Sequence, residues 1–284
     1  MRIAVLTSHP VLSAGSVMAQ SLELLRSWGV EVEVVLPDRL VDLAAPAPKA
    51  DLYLLKSVSE PVLSIAAAVE AAGGRCCNTA AVVRLCRDRI AATAALAAAG
   101  VPVPQSWSTS RPDALAPLLA EGPLVLKAAR AGDPAGSRIV WDVDGLLEMT
   151  SMEQVWLAQR LAARPGRERK VYRIADQVFG VQRRWPARTS TGSIGEPFTI
   201  SGGLRDITDR VAAALGTDLF GIDVVPGDAG PVVVDVHPFP GCTGVPNAHL
   251  RLADHLYAVA SGLPHPGPQH LSTQQQTAGK AVTS

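Results

Sequence analysis

The sequence predicts an α/β chain: a small parallel α/β domain first, then a part in which β-hairpins dominate. Three observations carry this reading. Short apolar runs alternate with segments of helical spacing between Ile3 and Asn78. Two later segments, 170–185 and 221–241, each read as a pair of strands about a short turn. The composition is rich in Ala, Val and Leu and only 4% aromatic, as is common in α/β proteins.

Ile3 to Thr7 is a short apolar strand. Ser13 to Trp28 has helical spacing at Val17, Leu22, Leu24 and Leu25, and Gly29 supplies a left-handed cap. Val32 to Leu36 and Leu52 to Lys56 are the next strands. Ser59 and Pro61 start a helix that runs to Ala72 and stops at Gly73-Gly74; Arg75 to Asn78 is a fourth strand. The loop SHPVLSAG after the first strand lacks G-x-G-x-x-G, so it carries no dinucleotide fingerprint, and His9 reads as surface. Thr79 to Ala99 reads as one long Ala-rich helix. Gly100 and the Val-Pro-Val-Pro run end it and close a first domain, 1–103.

Beyond that boundary, Pro123 to Arg130 and Arg138 to Asp142 are strands joined by the flexible loop AGDPAGS. Lys127 sits in or at the end of the first of them. There a lysine either snorkels to solvent or holds a phosphate. The loop lacks the Lys-Ser/Thr pair of a Walker A motif. Val155 to Ala162 is a further strand. Lys170 to Trp185 is a hairpin turning at Ala175-Asp176, made basic by Arg173, Arg183 and Arg184. Such arginines form either a solvated face or a seat for an anionic substrate. Ala187 to Gly203 has no core-forming pattern and is expected to be a mobile loop over the site. Leu204 to Leu215 is an amphipathic helix ended by Gly216, and Asn247 to Gly262 is the last helix. Past Pro264 the chain is polar and expected to be disordered.

Composition excludes several classes of function. Lys plus Arg, 26, balance Asp plus Glu, 26, so a basic field for nucleic acid is missing. Every apolar run falls short of the roughly 18 residues of a membrane span. The start, MRIAVLTSHP, reads as a strand rather than a signal peptide. Cys76, Cys77, Cys86 and Cys242 lack zinc-site spacing and read as reduced, mostly buried thiols. The expectation is a cytoplasmic protein that binds neither nucleic acid nor membrane.

Chemistry concentrates in GIDVVPGDAGPVVVDVHPFPG, 221–241. With the turn centred near Ala229, Asp223 lies opposite Asp235, and His237 shares the face of Asp235 because residues two apart on a strand do. Two carboxylates and an imidazole among valines need a cation, and a divalent metal is the usual one. Taken singly, each would read as a solvated or strand-end residue; the three together point to a metal site.

With these pieces in place the chain resembles the ATP-grasp superfamily, in the glutathione-synthetase-like arrangement, from about residue 1 to residue 263. The likeness is carried by Asn78, RDRIAATAALAAAGVPVP, PLVLKAAR, LAQRLA, the Arg-containing hairpin, and GIDVV followed by VVVDVHPFPG. It implies an ATP-grasp fold of α/β and α+β parts: a parallel α/β pre-ATP-grasp domain (1–103), a small lid subdomain (104–165) and a C-terminal subdomain with the metal site (166–264), the last two clamping ATP. Residues 265–284 would be a disordered tail.

The resemblance also implies roles. Arg89 and Lys127 would hold the nucleotide phosphates, covered by the loop Ala131 to Ser137 with Gly132, Gly136 and Ser137. Gln159, Arg160 and Leu161 would line the adenine, and Lys170 with Arg183 or Arg184 would face the acceptor and γ-phosphate. Asp223, Asp235 and His237 would hold Mg²⁺ or Mn²⁺. Three positions depart from the family pattern: Asp235 stands where Glu is usual, His237 where Asn is, and Arg160 where many relatives carry Glu. The loop also has fewer glycines than usual. The implied activity is a carboxylate–amine (or –thiol) ligase using ATP through an acylphosphate, on small-molecule or peptide substrates; a homodimer is a common expectation for this resemblance. Two rival readings stand beside it. One is an inositol-phosphate-type kinase, for which DVHPFPG is similar but the neutral charge is unfavourable; the other is an idle nucleotide-binding protein, against which Lys127, Asp223 and Asp235 together argue.

Overall fold

The computed structural model describes residues 1–9, 13, 15–38, 42, 44–45, 49–133, 136–150, 154–162, 166–185 and 195–262. The expected tail, and the part of the expected mobile loop at 187–194, lie outside them. Strand β1 (Arg2–Leu6), helix α1 (Val17–Ser27), β2 (Glu31–Val35), β3 (Leu52–Leu55), α2 (Glu60–Ala71) and β4 (Cys76–Cys77) build the first unit. Its sheet is wholly parallel, in the order β2-β1-β3-β4. Alternation along β1 sends Ile3 and Val5 toward Met18, Leu22 and Leu25 of α1, and Ala4 and Leu6 toward Val62, Leu63 and Ala66 of α2. A sheet covered on both faces needs apolar residues on both, hence the continuous runs IAVL and LYLL.

The expected single helix over 79–99 is two. Helix α3 (Ala80–Arg87) ends at Asp88, which is extended (φ −87°, ψ 96°), and α4 (Arg89–Ala98) begins at once. The Asp88 carboxylate accepts from the N–H groups of Ile90 (3.1 Å) and Ala91 (3.0 Å), an N-cap inside what reads as continuous helix. The Arg89 N–H turns instead to the Ala129 carbonyl at 2.8 Å. This break places Arg89 at a helix start beside the next unit.

That unit is a small antiparallel sheet, ordered β5-β8-β6-β7. It comprises β5 (Ser106–Thr109), a 3-10 segment (Pro112–Glu121), β6 (Leu124–Ala128), β7 (Ser137–Val140), α5 (Val143–Thr150) and β8 (Trp156–Arg160). Leu124, Leu126, Trp156 and Ala158 form its core with Leu115, Leu146 and Met149. The remaining chain forms a five-stranded antiparallel sheet, β11-β10-β9-β12-β13, from β9 (Gly166–Ile174), β10 (Gln177–Trp185), β11 (Glu196–Phe198), β12 (Leu219–Gly227) and β13 (Gly230–His237). Helix α6 (Gly202–Leu215) precedes β12, and α7 (Ala248–Ser261) follows β13. Strand β11 corrects the expectation of a structureless 187–203 segment: Glu196 to Phe198 pair with Gly180 to Gln182.

One face of the large sheet (Val171, Phe220, Ile222, Val224) packs on α4 and α6. The other face, with Tyr172, Ile174 and Leu219, packs on α7, which also covers α1 and the first sheet. Where α7 ends, that second face opens toward the small sheet. All four cysteines are free and buried, with thiol pKa values pushed up to about 12 by burial. No helix among the described residues is long and apolar enough to cross a membrane.

Asn78, buried at the end of β4, joins the first unit to the large sheet. Its Nδ2 donates to the carbonyls of Leu219 (2.7 Å) and Pro238, and its Oδ1 accepts from Thr217 Oγ1 at 2.5 Å. Asn78→Ala should lower unfolding stability by about 2–4 kcal/mol, because buried acceptors lose their donor. Asn78→Asp should cost at least as much, since a carboxylate would face two carbonyl oxygens. Unchanged denaturation midpoints would show that the join lies elsewhere.

Candidate active site

The site is built on the β12–β13 hairpin. Its turn is tighter than the sequence suggests: Gly227 pairs with Gly230, and Val225 with Val232. On that register alone Asp223 would face Val234, and Asp235 would point into the helix-covered core. A β-bulge between Asp223 and Val224 intervenes, so that Val224 pairs with Val233 but Asp223 pairs with Asp235. Val234 is the extra residue, and the bulge turns Asp235 onto the face of Asp223. The expected juxtaposition is therefore present, produced by an irregularity and not by the turn.

Asp223 is 9% exposed and does not wait for an external cation. Lys170, its register partner on β9, donates to Oδ1 at 2.5 Å, and His237 Nε2 lies 3.1 Å from Oδ2. Burial alone would raise the Asp223 pKa. The His237 hydrogen bond and the charges of His237 and Lys170 outweigh it and hold the carboxyl well below the usual carboxylate range. Burial likewise works against charging His237, but its bond to Asp223 and the charges of Asp223 and Asp235 raise its pKa above the ordinary imidazole value. His237 was expected beside both carboxylates as a third metal ligand. Here its Nε2 is engaged by Asp223, and among the described residues no three His, Cys, Asp or Glu side chains gather as a ready ion site.

Asp235 faces Arg89, whose Nε is 3.5 Å from Oδ2. Arg89 also donates from Nη1 to the Ala128 carbonyl at 2.9 Å. Its Nε is buried without a hydrogen-bond partner among the described residues. Its charge is set against Asp235 at ion-pair distance. Lys127, 8% exposed, reaches across from β6 and donates to the carbonyl of the bulged Val234 at 2.5 Å. Burial is the main reason its pKa lies below the usual lysine value; nearby Arg89 adds to this, and Asp235, Asp223 and Glu168 oppose it.

These groups line a cleft of about 310 Å³ between the small sheet and the large one. Of the expected nucleotide residues, Arg89, Lys127, Ser137, Gln159, Arg160 and Leu161 border it, together with Asp223 and Asp235. Gln159 faces inward and is buried. Arg160 does not present its charge to the cleft: its guanidinium donates to the carbonyls of Leu118 (3.0 Å) and Gly122 (2.7 Å), meets Glu121 at 3.1 Å and lies over Trp107. The alternation of β8 puts it on the core side with Ala158. Gly132 and Gly136 take left-handed backbone (φ 86° and 63°) and fold the loop so that the Ala128 N–H meets the Gly136 carbonyl at 2.9 Å. Residues 134–135 of that loop lie outside the described residues.

Arg183 is held by a residue that sequence reasoning missed. Glu168, buried in the cleft wall, sits directly opposite it in the β9–β10 register and accepts from its Nε at 2.7 Å. The signal was available, because 168 and 183 are mirror positions about Ala175-Asp176. Arg184 pairs with Arg167 through the backbone; its side chain lies outside what the structure describes.

The chain belongs to the RimK-like ATP-grasp family, whose profile matches residues 86–258. It is similar to a protein of Shewanella loihica named probable alpha-L-glutamate ligase, with 22% identity over 63% of this chain and 64% of that one. The match thus spans under two thirds of that relative's length. Among solved structures it is similar to a RimK domain ATP-grasp protein from Sphaerobacter thermophilus, at a TM-score of 0.71 and 23% identity, covering 90% of this chain and 100% of the other. It is also similar to the ATP-grasp ligase PsnB complexed with a minimal precursor, Mg and ADP, at a TM-score of 0.68 and 21% identity, covering 91% and 97%. The expected ATP-grasp fold, with its mixture of parallel and antiparallel sheets, is the fold of this chain.

Asp223→Asn should destabilise the protein by roughly 2–4 kcal/mol, because Lys170 and His237 lose their shared counter-charge. A carboxylate whose pKa is lowered by folding adds stability above its unfolded value, near 4, and loses it as pH falls through the folded value. The variant should therefore have a flatter acid limb in a melting-temperature-versus-pH profile. A melting temperature that holds or rises at neutral pH would mean the pairing contributes nothing.

Proposed function

We propose that this chain is an ATP-dependent carboxylate–amine (or –thiol) ligase that works through an acylphosphate. The observation that carries the reading is the meeting in one cleft of Lys127, from the small sheet, and Arg89, from the start of α4, with the Asp223–Asp235 pair of the β12–β13 hairpin. Transfer of a phosphoryl group needs charge neutralisation more than it needs a base. Lys127 and Arg89 supply fixed positive charge for the phosphates, and Gln159 faces the space for the base. Glu168 holds Arg183 at the wall of the cleft through its hydrogen bond, and Lys170 keeps Asp223 ionised. The loop that turns at Gly132 and Gly136 would help to keep water from an acylphosphate.

Asp223 and Asp235 are the residues that would hold a divalent cation. Their oxygen donors suit Mg²⁺, and the cation would offset the phosphate charge they face. His237 is assigned to orienting Asp223. On this assignment His237→Asn should leave the ranking of Mg²⁺ over Mn²⁺ in nucleotide turnover unchanged while lowering the rate. An imidazole ligand favours later divalent metals than Mg²⁺, so a shift of the ranking on substitution would make His237 a ligand after all.

The names of the curated relatives make L-glutamate the first acid or amine to offer. Purified protein should release ADP with a subset of amino acids or small carboxylates, and added hydroxylamine should trap a hydroxamate. A stable phosphorylated product without hydroxamate would make the chain a kinase, and no ADP release with any acceptor would make it an idle nucleotide binder. Lys127→Ala should weaken ATP binding about ten- to a hundredfold, the worth of a charged hydrogen bond. Calorimetry giving the parent's ATP affinity would return Lys127 to a purely structural contact with Val234.

A further inference from the structure

A second group of polar side chains lies outside the nucleotide cleft, at the carboxyl ends of β1 and β3. Ser8, Ser57 and Ser59 bring their hydroxyls together: Ser8 Oγ contacts Ser57 Oγ and lies 2.9 Å from Ser59 Oγ, and Ser57 Oγ lies 3.2 Å from Ser59 Oγ. The donor in the Ser8–Ser57 contact is not fixed, so the three hydroxyls can turn their protons within the cluster or toward a ligand beside it. The Ser59 oxygen is not used by helix α2, where Ser59 is the N-cap yet accepts no side-chain capping bond. A hydroxyl at this position ordinarily caps the helix.

Lys56 stands beside the cluster on the same strand end. Its backbone N–H continues the β3–β1 ladder to the Leu6 carbonyl at 2.9 Å, which fixes where the side chain starts. Its ammonium lies 4.7 Å from the ring centroid of Phe239. Among the described residues no carboxylate lies within ion-pair distance of it. Glu60, the first residue of α2, is drawn to Arg87 and Arg84 on α3. Burial lowers the Lys56 pKa, with the Cys242 thiol acting slightly the other way. A half-buried lysine is costly without a counter-charge, and this one is given only an aromatic face.

The surroundings say what the cluster serves. Phe239 is two residues beyond His237, at the end of the strand that carries Asp235. Gly132, on the loop expected to cover the phosphates, abuts the serine segment: a Cβ there would stand 3.7 Å from Val58 Cγ2. The cluster therefore lies where the first unit meets both the phosphate loop and the carboxylate strand.

We propose that Lys56 with Ser8, Ser57 and Ser59 forms an anion subsite that holds a carboxylate of the small-molecule substrate. One cation with hydroxyl donors matches a monoanion better than the dianion of inorganic phosphate. The proposal rests on the ligase reading for its placement, and it names the substrate class: a molecule with a carboxylate to be anchored besides the group that reacts, such as an amino acid.

Binding tests it without turnover. The full chain would be melted in rising acetate, succinate or L-glutamate, against chloride at equal ionic strength and against inorganic phosphate. The parent's melting temperature should rise with carboxylate. In Lys56→Met and in Ser57→Ala/Ser59→Ala the apparent carboxylate affinity should fall about tenfold or more, while the rise caused by ATP is kept. Trace acetylation followed by peptide mapping of the parent gives an independent readout, in which carboxylate but not ATP should protect Lys56. That readout decides the matter even where a variant does not fold. Equal carboxylate stabilisation in parent and variants, or Lys56 labelled at the same rate with and without carboxylate, would overturn the subsite, as would better protection by phosphate. The ligase reading fails separately, through the absence of hydroxamate.

Discussion

The site depends on a single extra residue in a strand. Val234 shifts the register of β13 by one, and a shift of one reverses which side chains face the cleft. Without it Asp235 would point into the helix-packed face, where Ile222 and Val236 now lie, and Asp223 would stand alone. The same residue receives the reach of Lys127 from the small sheet. One backbone irregularity thus sets the spacing of the acids and gives the opposing lobe a carbonyl to hold.

Around it, opposite charges are interleaved. Lys170 and His237 are set against Asp223, Arg89 against Asp235, and Arg183 against Glu168. The carboxylates of these pairs are mostly withdrawn from solvent, so each would be costly alone. Pairing keeps the wall of the cleft ionised and rigid in the absence of ligand. It also means that a nucleotide exchanges partners with groups already charged, and little reorganisation is needed when phosphate arrives.

How much of this was legible depended on whether the signal was periodic. Strand and helix positions followed from apolar spacing, and the helix stops from glycines such as Gly216, whose φ of 68° only glycine adopts cheaply. Asp223 and Asp235 were placed opposite one another from an assumed turn centre, whereas the register comes from a two-residue turn plus a bulge; valines on every side of VVVDV leave a bulge without a signature. The break at Asp88 was hidden because Ala-rich flanks favour helix throughout, and only a tertiary contact, Arg89 N–H to Ala129, tips Asp88 into a cap. Strand β11 was missed because Glu-Pro-Phe lacks alternation, its place being set by the edge of β10. Arg160 borders the cleft as its sequence position suggests, but one step along β8 from Gln159 its guanidinium turns away, to the Leu118 and Gly122 carbonyls.

The last helix has a bearing on how the chain comes to be folded at all. Helix α7 supplies Leu252, Ala253 and Leu256 to the same buried cluster as Ile3 and Val5 of the first strand, and Ser21 in α1 donates to the carbonyl of His249 at 3.0 Å. Helix α1, which lies on one face of the N-terminal sheet, is therefore itself covered by a helix far along the chain. On the ribosome the outer side of α1 must wait, uncovered, until α7 emerges, and contacts joined over such separations form slowly. A chain cut short before α7 keeps its first sheet between α1 and α2 but leaves the apolar outer side of α1, with Val17 and Leu24, uncovered.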